Sequence, residues 1–136
     1  MSDTTAATPH SLDGLWQPTR AELSGESAPP MVLERMTLTL RAARYTVHFG
    51  GEISDRGTFT HVASEPHATL TLRGEEGANA GRTIPAIFQL VGDRLRICYG
   101  LDGQLPSAFV TSSDSRLYLV TYRRSSPRAL TSLTPS

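Results

Sequence analysis

Residues 82–100 read RTIPAIFQLVGDRLRICYG, two apolar runs on either side of Gly92-Asp93. A glycine-led pair between β-rich runs supplies the positive φ that a two-residue hairpin turn requires. In the second arm Leu95, Ile97 and Tyr99 alternate with Arg94, Arg96 and Cys98, the period of a strand with one wet face. The first arm carries apolar residues at both parities, Ile84, Ala86, Phe88 and Leu90 against Ile87 and Val91, so it is expected to be covered on both sides. This hairpin is central, and the rest of the chain closes around it.

The same alternation recurs before it. Residues 14–23 predict a first strand, with Pro18 marking a bulge or an unpaired edge position. After Pro29-Pro30 the triplet Met31-Val32-Leu33 is long enough for one helical turn, a plug for an opening. Residues 35–41 set Met36, Leu38 and Leu40 against Thr37 and Thr39, and 44–50 set Tyr45, Val47 and Phe49 against Thr46 and His48. Gly50-Gly51 turns the chain into 52–62, where Gly57 suggests a bulge, and 67–73 follows with Ala68, Leu70 and Leu72 on one side. The glycine-rich stretch 74–81 is expected to be a mobile hairpin loop. Beyond Gly100 a loop leads to a short extended piece at 108–111, and the last strand covers 116–123. About eight strands in sequence order with short connections predict an all-β fold, an eight-stranded up-and-down antiparallel barrel that leaves no free edge. A β-sandwich is the alternative, but its Greek-key crossings are longer than these connections. Residues 12–124 form the domain, and 1–11 and 125–136 are expected to be flexible tails.

Composition narrows the function more than it names it. The 136 residues suffice for one domain with its own core, and 13 basic against 13 acidic residues give no net field for nucleic acid or an anionic membrane. All the basic residues are arginines, scattered along the sequence. The only cysteine, Cys98, has no internal partner, and the N-terminus lacks a basic and an apolar signal region. A cytoplasmic protein is expected. Cys98 lies in mid-strand beside arginines, without the context of a nucleophile, and His48, His61 and His67 do not converge by parity. Neither an enzyme nor a metal or cofactor site is expected. The loop GEEGANAGR lacks the Lys-Ser/Thr of a phosphate loop and leads into a strand.

Gly14-Leu15-Trp16 has the G-x-W spacing that opens lipocalin-type barrels, and the last strand ends in Arg123-Arg124. Further along stand Leu12, Ala21-Glu22 before Gly25, Arg44-Tyr45, Gly57-Thr58-Phe59, Ile87-Phe88-Gln89-Leu90, Gly92-Asp93-Arg94-Leu95, Ile97-Cys98-Tyr99, and Pro106 with Phe109. In this order the chain resembles a family of small, uncharacterised lipocalin-like domains recurrent in planctomycete-like bacteria. Leu105 departs from it, since that family usually carries an arginine before the proline. The resemblance implies a barrel whose first-strand tryptophan is covered by an arginine from the last strand, and it implies no activity. By parity Arg123 is the covering arginine.

Trp16, Tyr45, Phe49, Phe59, Phe88 and Tyr99 are expected to point inward, around either a filled core or a cavity for a small apolar ligand. Tyr45 and Tyr99 are the ones to face water or a ligand's polar end, because buried phenols need partners. Arg20 and Glu22 share the parity of Trp16. A bulge at Pro18 that turns them outward is favoured over pairing at the rim. In the last strand Leu117 and Leu119 alternate with Tyr118, Val120 and Tyr122, so both faces are apolar. The second set would form an exposed patch, which predicts a homodimer through this strand. The competing function is then a solid-core interaction module acting through its outer surface.

Overall fold

Apolar stripes of period two bury themselves when strands curl around a common axis, and the structure, a computed structural model describing residues 12–125, does this in sequence order. Strand β1 spans Gly14–Leu23 and pairs at its end with the two-residue β2, Glu26–Ser27, before the single-turn helix α1, Pro30–Glu34. Strands β3 (Met36–Arg41), β4 (Arg44–Phe49), β5 (Glu52–Val62), β6 (Ala68–Gly77), β7 (Thr83–Val91), β8 (Arg94–Gly100) and β9 (Leu117–Arg124) follow. Each is antiparallel to the next, β1 pairs with β3, and β9 returns to pair with β1. With β2 set aside, this is the closed eight-stranded up-and-down barrel of lipocalin-like architecture. The tails expected at 1–11 and 125–136 lie outside the described residues, apart from Ser125.

One end is closed. Trp16 has no exposed surface, its indole Nε1 donates to the Leu12 carbonyl at 3.0 Å, and the Arg124 guanidinium lies 4.4 Å from the ring centre. The covering residue is therefore Arg124 and not Arg123. Register gives the reason: Trp16 pairs with Arg124, and Tyr118, Val120 and Tyr122 pair with Tyr99, Ile97 and Leu95. Directly opposed residues share a face, so these three point into the barrel. Val120 and Tyr122 are buried and Tyr118 half-buried against the core. The exposed patch expected on β9 is corrected accordingly, and the argument for a dimer through Tyr118 falls with it.

The bulge at Pro18 is present. The β1–β9 register slips between Pro18 and Arg20, which turns Ala21 inward and leaves Arg20 exposed. Glu22, on the outer side, accepts a hydrogen bond from the Thr111 hydroxyl at 3.1 Å. Beyond Trp16 strands β1 and β3 part, and α1 occupies the gap with Leu33 buried. The Gln17 amide pins the helix by donating to the Leu33 and Met36 carbonyls at 2.8 and 3.1 Å.

The face of β8 expected to be wet is exposed at Arg94, half-buried at Arg96 and covered at Cys98. Cys98 is 0% exposed and its cross-strand neighbour Ile87 is buried as well. The chain between β8 and β9, residues 101–116, folds over them: Phe109 packs edge-on against His67 at 4.9 Å, and the Arg96 guanidinium lies 4.3 Å from the Phe109 ring centre. Burial raises the Cys98 thiol pKa despite a hydrogen bond from the Val110 backbone. The extended piece expected at 108–111 forms no strand. Both-sided coverage of β7 is borne out at Ile84, Ala86 and Ile87.

Candidate functional site

The opposite end of the barrel is hollow. A cavity of about 200 Å³ opens there, walled by Leu38, Val47, Leu72, Ile84 and Leu101 and by all four tyrosines of the chain. At roughly 30 Å³ per water, it holds about six or seven waters.

Of the six residues expected to line a pocket, the structure brings Tyr45 and Tyr99 to this cavity. Trp16, Phe59 and Phe88 fill the closed half, where His61 packs against both phenylalanine rings at 6.3 and 6.1 Å. His61 is not among the cavity's walls. Phe49 is corrected outright: it is 43% exposed, beyond the rim, with the Arg35 guanidinium 5.9 Å from its ring centre. Alternation gave it the correct side of β4, but the strand outruns the barrel wall there.

Polar side chains face the cavity in two clusters, one around Asp55 and one around Tyr99. Opposite Val47 the β4–β5 ladder slips by one residue, so Ser54 is extra and Asp55 aligns with inward-facing Val47. Asp55 is 8% exposed, the one buried charged residue among those described. Its carboxylate accepts from the Tyr45 hydroxyl at 3.4 Å and from the Asn79 amide at 2.7 Å. On the other wall the Tyr99 and Tyr122 hydroxyls share a 2.7 Å hydrogen bond, and Tyr118 stacks on Tyr99 at 5.6 Å.

Asn79 reaches Asp55 because the glycine-rich loop is tied down. Gly77 has φ +94, and a Cβ there would overlap the Ser54 carbonyl and crowd the Asp55 Cα. The Ala78 amide donates to Ser54, and the Arg82 guanidinium donates to the Leu101 carbonyl at 2.6 Å. The stretch expected to be an idle mobile loop builds one wall of the cavity.

Asp55 was legible in principle, since it shares parity with Gly57 and Phe59. Asn79 was not, because a loop side chain has no period to follow. Tyr118 and Tyr122 line the cavity, not the exposed outer face expected of them. The register also gathers Arg20, Arg94, Arg96 and Arg123 around a shallow outer depression, so the arginines that looked scattered are in part clustered.

Burial raises all four tyrosine pKa values above the ordinary value of 10, and the Asp55 charge adds to the effect at Tyr45 and Tyr99. A phenol whose pKa is raised by folding stabilises the fold below its unfolded pKa, and that contribution is lost as pH rises through the folded one. Tyrosinate absorbance is therefore expected to stay low at pH 10 and to rise together with unfolding. Half-ionisation of any tyrosine near pH 10 in the folded protein would place that phenol in water.

Among the described residues no three His, Cys, Asp or Glu side chains come together, and no helix is long and apolar enough to cross a membrane. Comparisons with protein-family models, with curated proteins and with solved structures gave no match.

Proposed function

We propose that this chain is a cytoplasmic lipocalin-like binding protein that takes a small, mostly apolar ligand into the open end of its barrel. The observation that supports the reading is the contrast between the two ends. One half is packed with Trp16, Leu40, Leu70 and Leu95, and the other leaves an apolar-walled space beside hydrogen-bonded phenols. Apolar walls with a few placed polar groups are the usual make-up of a ligand site. Binding without catalysis fits the placement of the reactive side chains, since Cys98 lies on the outer face and His48, His61 and His67 are not among the cavity's walls. A lone buried thiol also suits a reducing compartment.

The test is native mass spectrometry of gently purified protein, joined to thermal shifts with a library of small apolar compounds. A ligand at a hundred times its Kd stabilises by about 2.7 kcal/mol, so a rise in Tm is expected. Val47→Phe narrows the half-buried mouth with little packing cost and should abolish the shift. No copurifying ligand and no shift with any compound would refute the reading.

A further inference from the structure

Asp55 is the only charged residue among those walling the cavity. A carboxylate offers about four acceptor positions, and Tyr45 and Asn79 use two of them. The ion pairs among the described residues are Arg44–Glu75, Arg56–Glu76 and Arg124–Asp93, none of which involves Asp55. None of the described arginines is among the cavity's walls, and the chain has no lysine. A buried carboxylate without a counter-charge is costly. Holding Asn79 in place does not require that charge, because an amide at position 55 could accept from Asn79 through its oxygen and donate through its nitrogen to the Tyr45 hydroxyl. The negative charge itself remains to be explained.

The surrounding wall gives the explanation. Tyr99 and Tyr118 stack at 5.6 Å with their planes 26° apart, and aromatic faces attract cations. Burial keeps the phenols un-ionised, so the cavity combines one fixed negative charge, neutral aromatic rings and apolar walls. An anionic ligand would meet repulsion from Asp55 and no basic side chain.

We infer that the ligand is a small amine, its ammonium paired with Asp55 beside Tyr45 and the stacked Tyr99 and Tyr118, its apolar body against Leu38, Leu72 and Ile84. The inference rests on the ligand-binding reading above and specifies its chemistry. The cavity's size limits the enclosed part to a molecule displacing about six or seven waters. That suits a monoamine with one ring.

Calorimetric titration with phenethylamine, phenethyl alcohol and hydrocinnamate, and with the cyclohexyl counterparts of all three, tests the charge at constant shape. The amine of each series should bind at least about tenfold tighter than the alcohol, and the carboxylate most weakly. Asp55→Asn removes the charge and can still accept from Asn79, with the Tyr45 hydroxyl now accepting from the amide nitrogen, so it should bring the amine to within about threefold of the alcohol. Its far-UV circular dichroism should match the wild type. If that variant fails to fold, the wild-type comparison decides by itself. Alcohol binding as tightly as amine, or carboxylate binding tightest, overturns the amine while leaving the apolar-pocket reading in place. Amine preference retained in a folded Asp55→Asn overturns the role of Asp55. No binding by any of the six compounds overturns the one-ring amine, while the apolar-pocket reading falls only if the library and copurification test above fails as well.

Discussion

Arg124→Ala is expected to destabilise the barrel by about 2–4 kcal/mol, whereas Arg123→Ala should stay within about 0.5 kcal/mol of the wild type. The two arginines are neighbours in sequence and opposites in space. Arg124 lies over the Trp16 ring, donates through Nη1 to the Asp13 carbonyl at 2.6 Å and pairs through Nε with Asp93 at 3.0 Å. Its side chain is 17% exposed, so these interactions are only partly screened by water. Together they join the start of β1 to the end of β9 and to the β7–β8 turn. Arg123 is exposed on the outer face opposite Arg94, where losing a like-charged neighbour costs nothing. Urea unfolding followed by Trp16 fluorescence makes the comparison, and Arg124→Lys should fall between, since an ammonium cannot reproduce the planar fork. Equal effects of the two alanines would mean that the barrel floor is not closed in this way.

Gly57→Ala should cost at least about 3 kcal/mol, among the larger effects of a single added methyl group. The residue sits where β5 pairs with Tyr45 on one side and Gly74 on the other, next to the slip in the β5–β6 register. A Cβ at this position would overlap the Arg73 carbonyl oxygen and press on the Gly74 Cα. Those are backbone atoms in a closed sheet, and they cannot move aside as a side-chain end does. The strand must separate from β6 instead, with loss of ladder hydrogen bonds. Thermal unfolding of Gly57→Ala against Thr58→Ala, one residue along, checks this. A variant as stable as wild type would show that the bulge can absorb the methyl group.

Much of this architecture was legible, and the reasons can be traced residue by residue. Strands β3, β4 and β8 alternate aliphatic or aromatic with polar residues, and a polar partner at every second position leaves one choice of inner face. Pro18 and Gly57 announced their register slips because neither residue suits an ordinary central strand position. Strand β9 failed as a guide because Leu117 and Leu119 are as apolar as Tyr118 and Val120, so period two is present without contrast. The cover over Cys98 was illegible for another reason: it comes from 101–116, a stretch with no periodicity, arriving from outside the barrel. The β3–β4 turn gave no glycine signal either, although Ala42 and Ala43 both take positive φ, at 51° and 66°. The site suffered most from a choice of residue type. Inward aromatic residues mark only part of it, since Asp55 shares the parity of Phe59 and its charge makes the cavity chemically particular.

The four tyrosines crowd one end of the barrel, and the single tryptophan lies at the other. Phenol rings excited by ultraviolet light pass energy to an indole within a few nanometres, so light absorbed at the mouth is emitted from the floor. A guest that stacks on Tyr99 or Tyr118 changes what the donors deliver without touching Trp16. Excitation at the long-wavelength edge, which tyrosine does not absorb, reads the floor alone. The ratio of the two signals reports occupancy of the cavity separately from loosening at the Trp16–Arg124 closure, in the unlabelled wild-type chain.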